Sequence, residues 1–222
     1  MASQVDRSAP ARVPLSRDRV LQAAISLADA GGIESLSMRK LAQELGVEAM
    51  SVYYYVANKD AILDGIVDIV VAEFDMAAGG ADWKSAIRHS AISAHDVLMR
   101  HPWACGLMMS AKRVSSARLQ YMESLLKRLR EAGFSASMTH HAYHALDSHI
   151  IGSTLWEAGY SANRDLTDKA KAFVRKSVDA FPYVVEHAEQ HLTKSKRSDI
   201  REFEFGLDLI LDGLEKIRDR RS

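Results

Sequence analysis

The stretch from Ser37 to Val56 constrains the fold more than any other, because its pattern predicts two short helices folded across a tight turn. In the first helix, apolar residues three and four positions apart share one face: Leu41, Ala42 and Leu45. Ser37 is a good N-cap for that helix. Gly46 follows that helix directly. Helices often end at a residue in the left-handed backbone conformation, which glycine adopts at little cost. A second short helix is predicted from about Glu48 to Val56, and the two helices together form a compact unit.

The outward side of the second helix carries three consecutive tyrosines, Tyr53, Tyr54 and Tyr55. Successive residues of a helix are about 100 degrees apart, so the three cannot all be buried. Phenol hydroxyls can donate to phosphate oxygens and so position a protein on a duplex. Asn58 is a candidate cap of the next helix, and Lys59 lies at its N-terminus, which is favourable for phosphate. Arg39 is the one long donor placed to reach a base edge, so we predict a helix-turn-helix that binds DNA.

The stretch from Ser16 to Phe74 resembles the DNA-binding domain of the tetracycline-repressor (TetR) family of bacterial transcription regulators. The matching residues are Leu36, Arg39, Lys40, Leu41, Ala42, Leu45, Gly46, Val47, Tyr53, Tyr55, Val56, Asn58, Lys59 and Leu63. The resemblance implies an all-α homodimer that represses transcription and releases DNA when a small molecule binds.

Carried over by position, the resemblance implies that Arg39, Met50 and Ser51 face the bases, and that phosphates are held by Tyr53, Tyr55 and Lys59. Tyr54 completes the predicted DNA-binding set together with Ala49. Ala49 and Met50 lie where the family varies with the operator, and their apolar side chains suggest contacts with thymine methyl groups. The alternative is that the tyrosines form only the edge of a core.

The composition is that of an ordinary globular protein, with 47% hydrophobic and 26% charged residues in 222 and a net charge of zero. No stretch approaches the roughly 18 apolar residues that a membrane span requires, so no membrane association is predicted. The first ten residues are polar, which predicts no signal peptide. The single cysteine, Cys105, cannot form an intrachain disulfide and fits a reducing compartment. We therefore expect a cytoplasmic protein.

Three segments are predicted along the chain: a disordered arm over 1–14, the helix-turn-helix domain with its connecting helix over 15–77, and a helical bundle over 78–222. The connecting helix is expected to run from Lys59 to about Ala77. The bundle is predicted to contain the helices Asp82–Arg100, Trp103–Ser110, Ser115–Ala132, Ser135–Tyr160, Leu166–Ala180, Pro182–Leu192 and Ser198–Arg218. No alternating strand pattern is present, so the fold class is all-α.

The last helix has an apolar seam with alternating spacings of three and four, formed by Ile200, Phe203, Leu207, Ile210, Leu214 and Ile217. Gly206 and Gly213 lie beside the seam, which favours close approach by another helix. The segment from Phe203 to Lys216 is similar to the C-terminal dimerisation helix of the tetracycline-repressor branch. The resemblance implies a four-helix interface between two copies, with predicted contacts at Ala142, Ala145, Phe203, Leu207, Ile210 and Leu214. The alternative is an intrachain core helix.

An effector pocket is expected between helices of the bundle, because the family implies a cavity and because methionine and tryptophan suit an apolar ligand. The predicted lining residues are Trp83, Met99, Trp103, Leu107, Met108, Met109, Leu125, His144 and Trp156. Each of them is equally suited to a plain core.

The histidines are weak evidence for a metal site. His140 and His144 are four apart, but no cysteine or paired carboxylate shares their face, so we predict no metal and no cofactor. The partners expected are a double-stranded DNA operator, a small-molecule effector and a second copy of the chain. Two alternatives remain: a constitutive DNA binder without an effector, and an enzyme that uses the histidines. No nucleophile elbow, phosphate loop or zinc motif supports the enzyme.

Overall fold

The computed structural model describes residues 14–76, 82–110, 115–162, 172–173, 180–193 and 201–220. Within these ranges the protein is helical and has no strand, which confirms the all-α class. The helices are α1 (Arg17–Gly31), α2 (Met38–Leu45), α3 (Ala49–Tyr53), α4 (Lys59–Ala72), α5 (Trp83–Arg100), α6 (Trp103–Met108), α7 (Ser116–Glu131), α8 (Ala136–Ala162), α9 (Pro182–Thr193) and α10 (Glu202–Asp219). None of these described helices is both long and apolar enough to cross a membrane.

The chain forms two compact units, and the boundary between them lies between Ile66 and Val67, inside α4. The sequence analysis instead placed the domain boundary at residue 77, the predicted end of the connecting helix. The difference arises because the second half of α4 contributes to the core of the C-terminal unit. Asp68 accepts a hydrogen bond of 3.1 Å from the amide of Ala117 near the start of α7, and Phe74 packs edge-on against Tyr121 at 5.2 Å.

In the N-terminal unit, local chemistry determines where the helices begin and end. Ser16 Oγ accepts from the Arg19 amide at 3.2 Å and Ser37 Oγ accepts from the Lys40 amide at 3.2 Å, so both serines cap their helices. Gly46 ends α2 in the left-handed region with φ of +66°. α1 packs on α2, and α2 packs on α3. The buried residues at their centre are Val20, Leu21, Ala24, Leu36, Leu41, Ala42 and Val52.

Helix α4 ends at Ala72, which corrects the prediction that it continues to Ala77. Its last turn tightens, because the amides of Glu73 and Phe74 bond carbonyls only three residues back. The amide of Asp75 then donates to Ser93 Oγ of α5 at 2.8 Å. This tertiary hydrogen bond takes the donor that a longer α4 would use within the helix.

Helix α8 is the centre of the C-terminal unit, where it packs against α5, α6, α7 and α10. Two groups of ion pairs join α5 to α10. Lys84 Nζ lies 2.6 Å from Asp212 and 2.7 Å from Glu215. Arg88 lies 2.7 Å from both Glu204 and Asp208. Hydrogen bonds that Lys84 donates to Asp212 and Glu215 raise the pKa of Lys84, so its charge is held throughout the physiological range.

Two predictions lie outside the described residues: most of the arm over 1–14, and nearly all of the helix expected over Leu166–Ala180. The remaining predicted helices of the bundle agree with the structure to within a few residues at each end.

Candidate nucleic-acid interface and effector region

The outward face of α3 is formed by large side chains that the unit leaves in solvent. Val52 is fully buried under this helix, whereas Met50 is 71% exposed and Tyr54 87% exposed. Tyr53 and Tyr55 are 44% and 39% exposed on the flanks. All three tyrosines are therefore exposed to solvent in part or in full, as the helical spacing requires.

The other predicted DNA-binding residues lie in α2, in α3 itself and at the start of α4. Arg39 is exposed in the first turn of α2, and Lys59 is exposed at the start of α4. Asn58 Oδ1 accepts from the Ala61 amide at 2.8 Å and so caps α4 beside Lys59. Ala49 and Ser51 are half-buried. The N-terminal unit thus exposes one cationic side chain in the helix before α3 and another in the helix after it.

The nine predicted effector residues differ in burial. Several are buried in the bundle core: Trp103, Met108 and Leu125. Others are exposed, namely Met109, His144 and Trp156, or half-buried, namely Trp83, Met99 and Leu107. Trp83 packs against Phe134 at 5.1 Å near the start of α8, whereas Trp156 lies near the other end of that helix. A single apolar pocket lined by all nine therefore stays a prediction.

Two cavities lined entirely by described residues open on the C-terminal unit. One of about 440 Å³ is bordered by Arg130, Phe134, Met138, Ile217 and Arg218. Another of about 310 Å³ is bordered by Gly152, Ser153, Trp156, Glu157, Glu202 and Phe203. Trp156 is the one predicted effector residue that borders either of them.

A buried polar cluster in the C-terminal unit was missed by the sequence analysis. The Tyr121 hydroxyl and Thr139 Oγ1 are buried and have no hydrogen-bond partner among the described residues. Burial raises the pKa of Asp147, and the charge of Asp147 in turn raises the pKa values of Tyr121 and Tyr143 beyond the effect of their own burial. The available signal was Asp147, one of two acidic residues in the sequence of α8.

Three residues of the apolar seam of α10, Phe203, Leu207 and Leu214, are buried within their own chain, whereas Ile217 is 38% exposed. Ala142, Phe203, Leu207 and Leu214 retain at most 7% of their surface and have almost none left for a second copy. Ile210 is half-buried and Ala145 is exposed. The side chains that α10 leaves in solvent are instead Phe205 and Leu209, at 58% and 59% exposed. A spacing of three and four residues indicates which face of a helix is buried, but it does not show whether the same chain or a second copy covers that face.

The histidines have separate local roles. His149 Nε2 lies 2.8 Å from the carbonyl oxygen of Phe203, and His89 Nε2 lies 2.8 Å from Asp75. His140 and His144 are exposed, with ring centroids 4.5 Å apart. Among the described residues, no group of three or more histidine, cysteine or acidic side chains could hold a metal ion.

Comparisons with known proteins identify a known domain family in each of the two units. Residues 20–66 match the model of bacterial regulatory proteins of the tetR family, and residues 77–218 match the tetracyclin repressor-like C-terminal domain. The transcriptional repressor DrrR1 of Streptomyces coeruleorubidus is 32% identical over 219 residues, which cover 93% of this chain and 80% of the relative. The class D tetracycline repressor protein of Escherichia coli is 31% identical over 161 residues, which cover 71% of this chain and 72% of the relative.

Solved structures show the same fold. Apo ActR from Streptomyces coelicolor superposes with a TM-score of 0.75 at 26% identity, covering 95% of this chain and 99% of that chain. ActR in complex with actinorhodin superposes with a TM-score of 0.73 at 26% identity, covering 93% and 99%. Since the two domain models together account for both units, and since a repressor matches almost the whole chain, the protein belongs to the TetR family of bacterial transcriptional regulators.

Proposed function

We propose that the protein is a homodimeric repressor that holds an inverted-repeat operator through α3 and releases it when a small molecule binds the C-terminal unit. The observation that carries the proposal is the face of α3, where Met50 and Tyr54 stand in solvent above a fully buried Val52. Large apolar and phenolic side chains are seldom left contiguous in solvent unless a partner covers them.

The chemistry of that face fits a duplex. Tyr53 and Tyr55 flank α3 and can donate to phosphate oxygens, while Lys59 adds a positive charge at the N-terminus of α4. Met50 is available to contact a thymine methyl group, and Arg39 can donate two hydrogen bonds to guanine. A protein that acts on operators works where the chromosome is, so we propose a cytoplasmic location.

A gel shift against operator DNA selected from a random library tests the DNA-binding role. Arg39→Ala should weaken binding by about tenfold or more, because a bidentate base contact contributes roughly 1–3 kcal/mol. Tyr53→Phe removes a hydroxyl alone and should weaken binding several-fold at every sequence. Arg220→Ala, an exposed arginine at the end of α10, is the control of equal charge. Unchanged binding by both Arg39→Ala and Tyr53→Phe, with helicity retained, would reject this assignment.

Dimerisation through α8 and α10 is supported by the surface that these helices leave uncovered. α8 exposes Ala145, Ser148, Gly152 and Leu155 at alternating spacings of three and four, and Trp156 is exposed next to Leu155. α10 exposes Phe205 and Leu209, and beside them Gly213 has no atom of the described chain near the position of a Cβ. Small residues beside large apolar ones allow a second pair of helices to approach closely. The α3 helices of the two copies would then contact half-sites about one DNA turn apart.

Effector binding is supported by the buried polar cluster and by the contacts of α4. A ligand could supply the partner that the Tyr121 hydroxyl lacks among the described residues, and an unpaired buried polar group is costly. Tyr121 also packs on Phe74, just beyond α4, and Asp68 of α4 bonds the first turn of α7. A ligand that moves α7 would thus act on the helix that continues into the DNA-binding unit, in proportion to its differential affinity for the two states. That ActR was solved with actinorhodin supports a small-molecule effector here.

A thermal-shift screen of small molecules, followed by gel shift with each stabilising compound, tests this part of the proposal. A true effector should both stabilise the protein and release the operator, and Tyr121→Phe should reduce both effects while leaving DNA affinity unchanged. Stabilising compounds that never alter DNA binding would favour the alternative of a constitutive DNA binder. Catalysis is not part of the proposal, since the relatives are transcriptional regulators.

A further inference from the structure

Helix α8 carries two exposed histidines, one helical turn apart, in its first half. Residues four apart on an α-helix are neighbours on the same side of it. His140 and His144 have this spacing, and the centroids of their imidazole rings are 4.5 Å apart. Both side chains are exposed in the folded chain. The fold therefore adds proximity and exposure to a pair whose spacing alone is weak evidence for a site.

Both imidazoles keep ring nitrogens that a ligand can use. The His140 ring contacts the rings of His141 and His144, and the His144 ring also contacts that of Tyr143, with centroids 5.4 Å apart. Neither imidazole of the pair has a hydrogen bond or an ion pair with any residue that the structure describes. His149, further along α8, differs because its Nε2 bonds a main-chain carbonyl. The pair is thus not committed to an internal contact.

The spacing suits the chelation of one metal ion by both rings. A metal held by imidazole lies about 2.0–2.1 Å from each nitrogen, so two nitrogens on a tetrahedral ion are roughly 3.3 Å apart. Ring centroids at 4.5 Å are close enough for rotation of the two exposed side chains to bring one nitrogen of each within this range. Two histidines four apart on a helix are a recurring zinc-binding pattern. Because α8 packs against four other helices, the backbone that carries the pair is fixed before an ion arrives.

Asp147 places a carboxylate near the pair without completing a set of three ligands. It lies three residues beyond His144, on the same flank of α8. Burial raises the pKa of Asp147, and the nearby charges of Arg118 and His144 oppose that rise, so the carboxylate lies within electrostatic reach of the pair. Among the described residues, however, no group of three histidine, cysteine or acidic side chains could hold a metal ion. The protein therefore supplies two ligands here.

We propose that His140 and His144 bind one divalent transition-metal ion per chain, of the class of Zn²⁺ and Ni²⁺, with water in the remaining positions. Imidazole nitrogen suits these ions, whereas Mg²⁺ and Ca²⁺ prefer oxygen ligands. A site with two imidazoles and no carboxylate ligand therefore discriminates against the ions that are commonest in cells. Coordination by side chains one turn apart also holds that turn of α8 in its helical conformation.

Titration calorimetry of the full chain with ZnCl₂, NiCl₂ and MgCl₂ tests the proposal. His187 and His191 are also four apart in the sequence, so the reference chain for every titration carries His187→Ala and keeps one pair with this spacing. We expect one Zn²⁺ or Ni²⁺ per chain, and binding of Mg²⁺ at least about a hundredfold weaker. Equal affinities for Mg²⁺ and Zn²⁺ would overturn the proposal.

Matched variants of the reference chain locate the site. His140→Ala and His144→Ala should each weaken Zn²⁺ binding at least about tenfold, because one imidazole cannot chelate the ion. His141→Ala is the control and should leave Zn²⁺ binding unchanged, since this exposed side chain lies about 100 degrees round α8 from His140. Zn²⁺ binding that survives the loss of either member of the pair, or that falls equally in all three variants, would contradict the assignment.

Urea unfolding gives a second readout. An ion that binds the folded chain better than the unfolded chain stabilises it by mass action, so Zn²⁺ should raise the urea midpoint of the reference chain and of His141→Ala. The midpoint of His140→Ala should rise much less. An equal rise in all of these chains would place the ion elsewhere and overturn the proposal. Because no DNA is used, the outcome is independent of the repressor proposal.

Discussion

Nε2 of His149 in α8 donates a hydrogen bond of 2.8 Å to the main-chain carbonyl of Phe203 in α10, and the two rings stack at 5.0 Å with an angle of 11° between their planes. A side-chain donor on one helix thus fixes the axial position of another. The bond depends on Gly206, because a Cβ there would lie 2.4 Å from His149 Cε1. The glycine beside the apolar seam therefore serves an intrachain contact.

Gly206→Ala should destabilise the protein by about 1–3 kcal/mol, the usual cost of overpacking, despite the gain of roughly 1 kcal/mol in helix propensity. Urea unfolding measures the change. Gly106→Ala in α6 is the control, because it is exposed and has no described atom within 4 Å of its Cβ position. It should be neutral or stabilising by up to about 1 kcal/mol. Equal changes in the free energy of unfolding of the two variants would show that the contact with His149 does not cause the destabilisation.

His95 should make the stability of the C-terminal unit fall on the acid side of neutrality. It stacks on Phe203 at 4.0 Å, and its Nε2 lies 3.4 Å from Glu157 and its Nδ1 3.8 Å from Asp96. Burial lowers the pKa of His95 against the opposing attraction of those two carboxylates, and Arg201 lowers it further.

The sign of the effect follows from proton binding. The unfolded chain takes up the proton near pH 6.5, and the folded chain only at lower pH, so the free energy of unfolding rises with pH between the two pKa values. We expect wild type to lose stability between about pH 7.5 and 5.5, with a shallower loss in His95→Phe. His140→Phe, at an exposed position of α8, should match wild type. Identical pH slopes for wild type and His95→Phe in urea unfolding would count against this account.

Leu209→Glu should shift the protein from dimer to monomer, because it places a carboxylate in the surface that we assign to the partner. Leu209 is 59% exposed, so the substitution should leave the helicity of the single chain unchanged. Leu119→Glu in α7, where leucine is 49% exposed, is the matched control and should remain dimeric. Sedimentation velocity distinguishes the two, and a dimeric Leu209→Glu would place the interface elsewhere. The monomer should also bind operator far more weakly.

Cys105 should be unreactive in the folded protein. It is fully buried, and burial raises the pKa of its thiol to about 11. Because the thiolate is the nucleophile, labelling near pH 8 should be slower by orders of magnitude than in denaturant, where an ordinary thiol has a pKa of about 8.5. The rate of reaction with a disulfide reagent measures this difference. Rapid stoichiometric labelling of the native chain would mean that the bundle around α6 opens readily.

The DNA-binding unit was predictable almost residue by residue, because its signals are local. The caps Ser16, Ser37 and Asn58 and the left-handed Gly46 act within a few residues of themselves, and the exposure of three adjacent tyrosines follows from helical geometry. The end of α4 was not predictable, because the donor that stops it bonds Ser93, eighteen residues further along the chain. The polar cluster was missed for the same reason, since Tyr121 and Asp147 meet only when α7 packs on α8.

The sequence by itself determined an all-α chain with a tyrosine-faced helix-turn-helix, since periodicity and capping are properties of neighbouring residues. The tertiary structure alone decided which apolar faces became core. The α10 seam was visible as a pattern, yet only packing showed that Phe203 and Leu207 are buried by their own chain and that Phe205 and Leu209 are left in solvent. A periodic pattern fixes the angle between side chains on one helix, whereas the identity of the surface that covers them depends on contacts between residues distant in sequence.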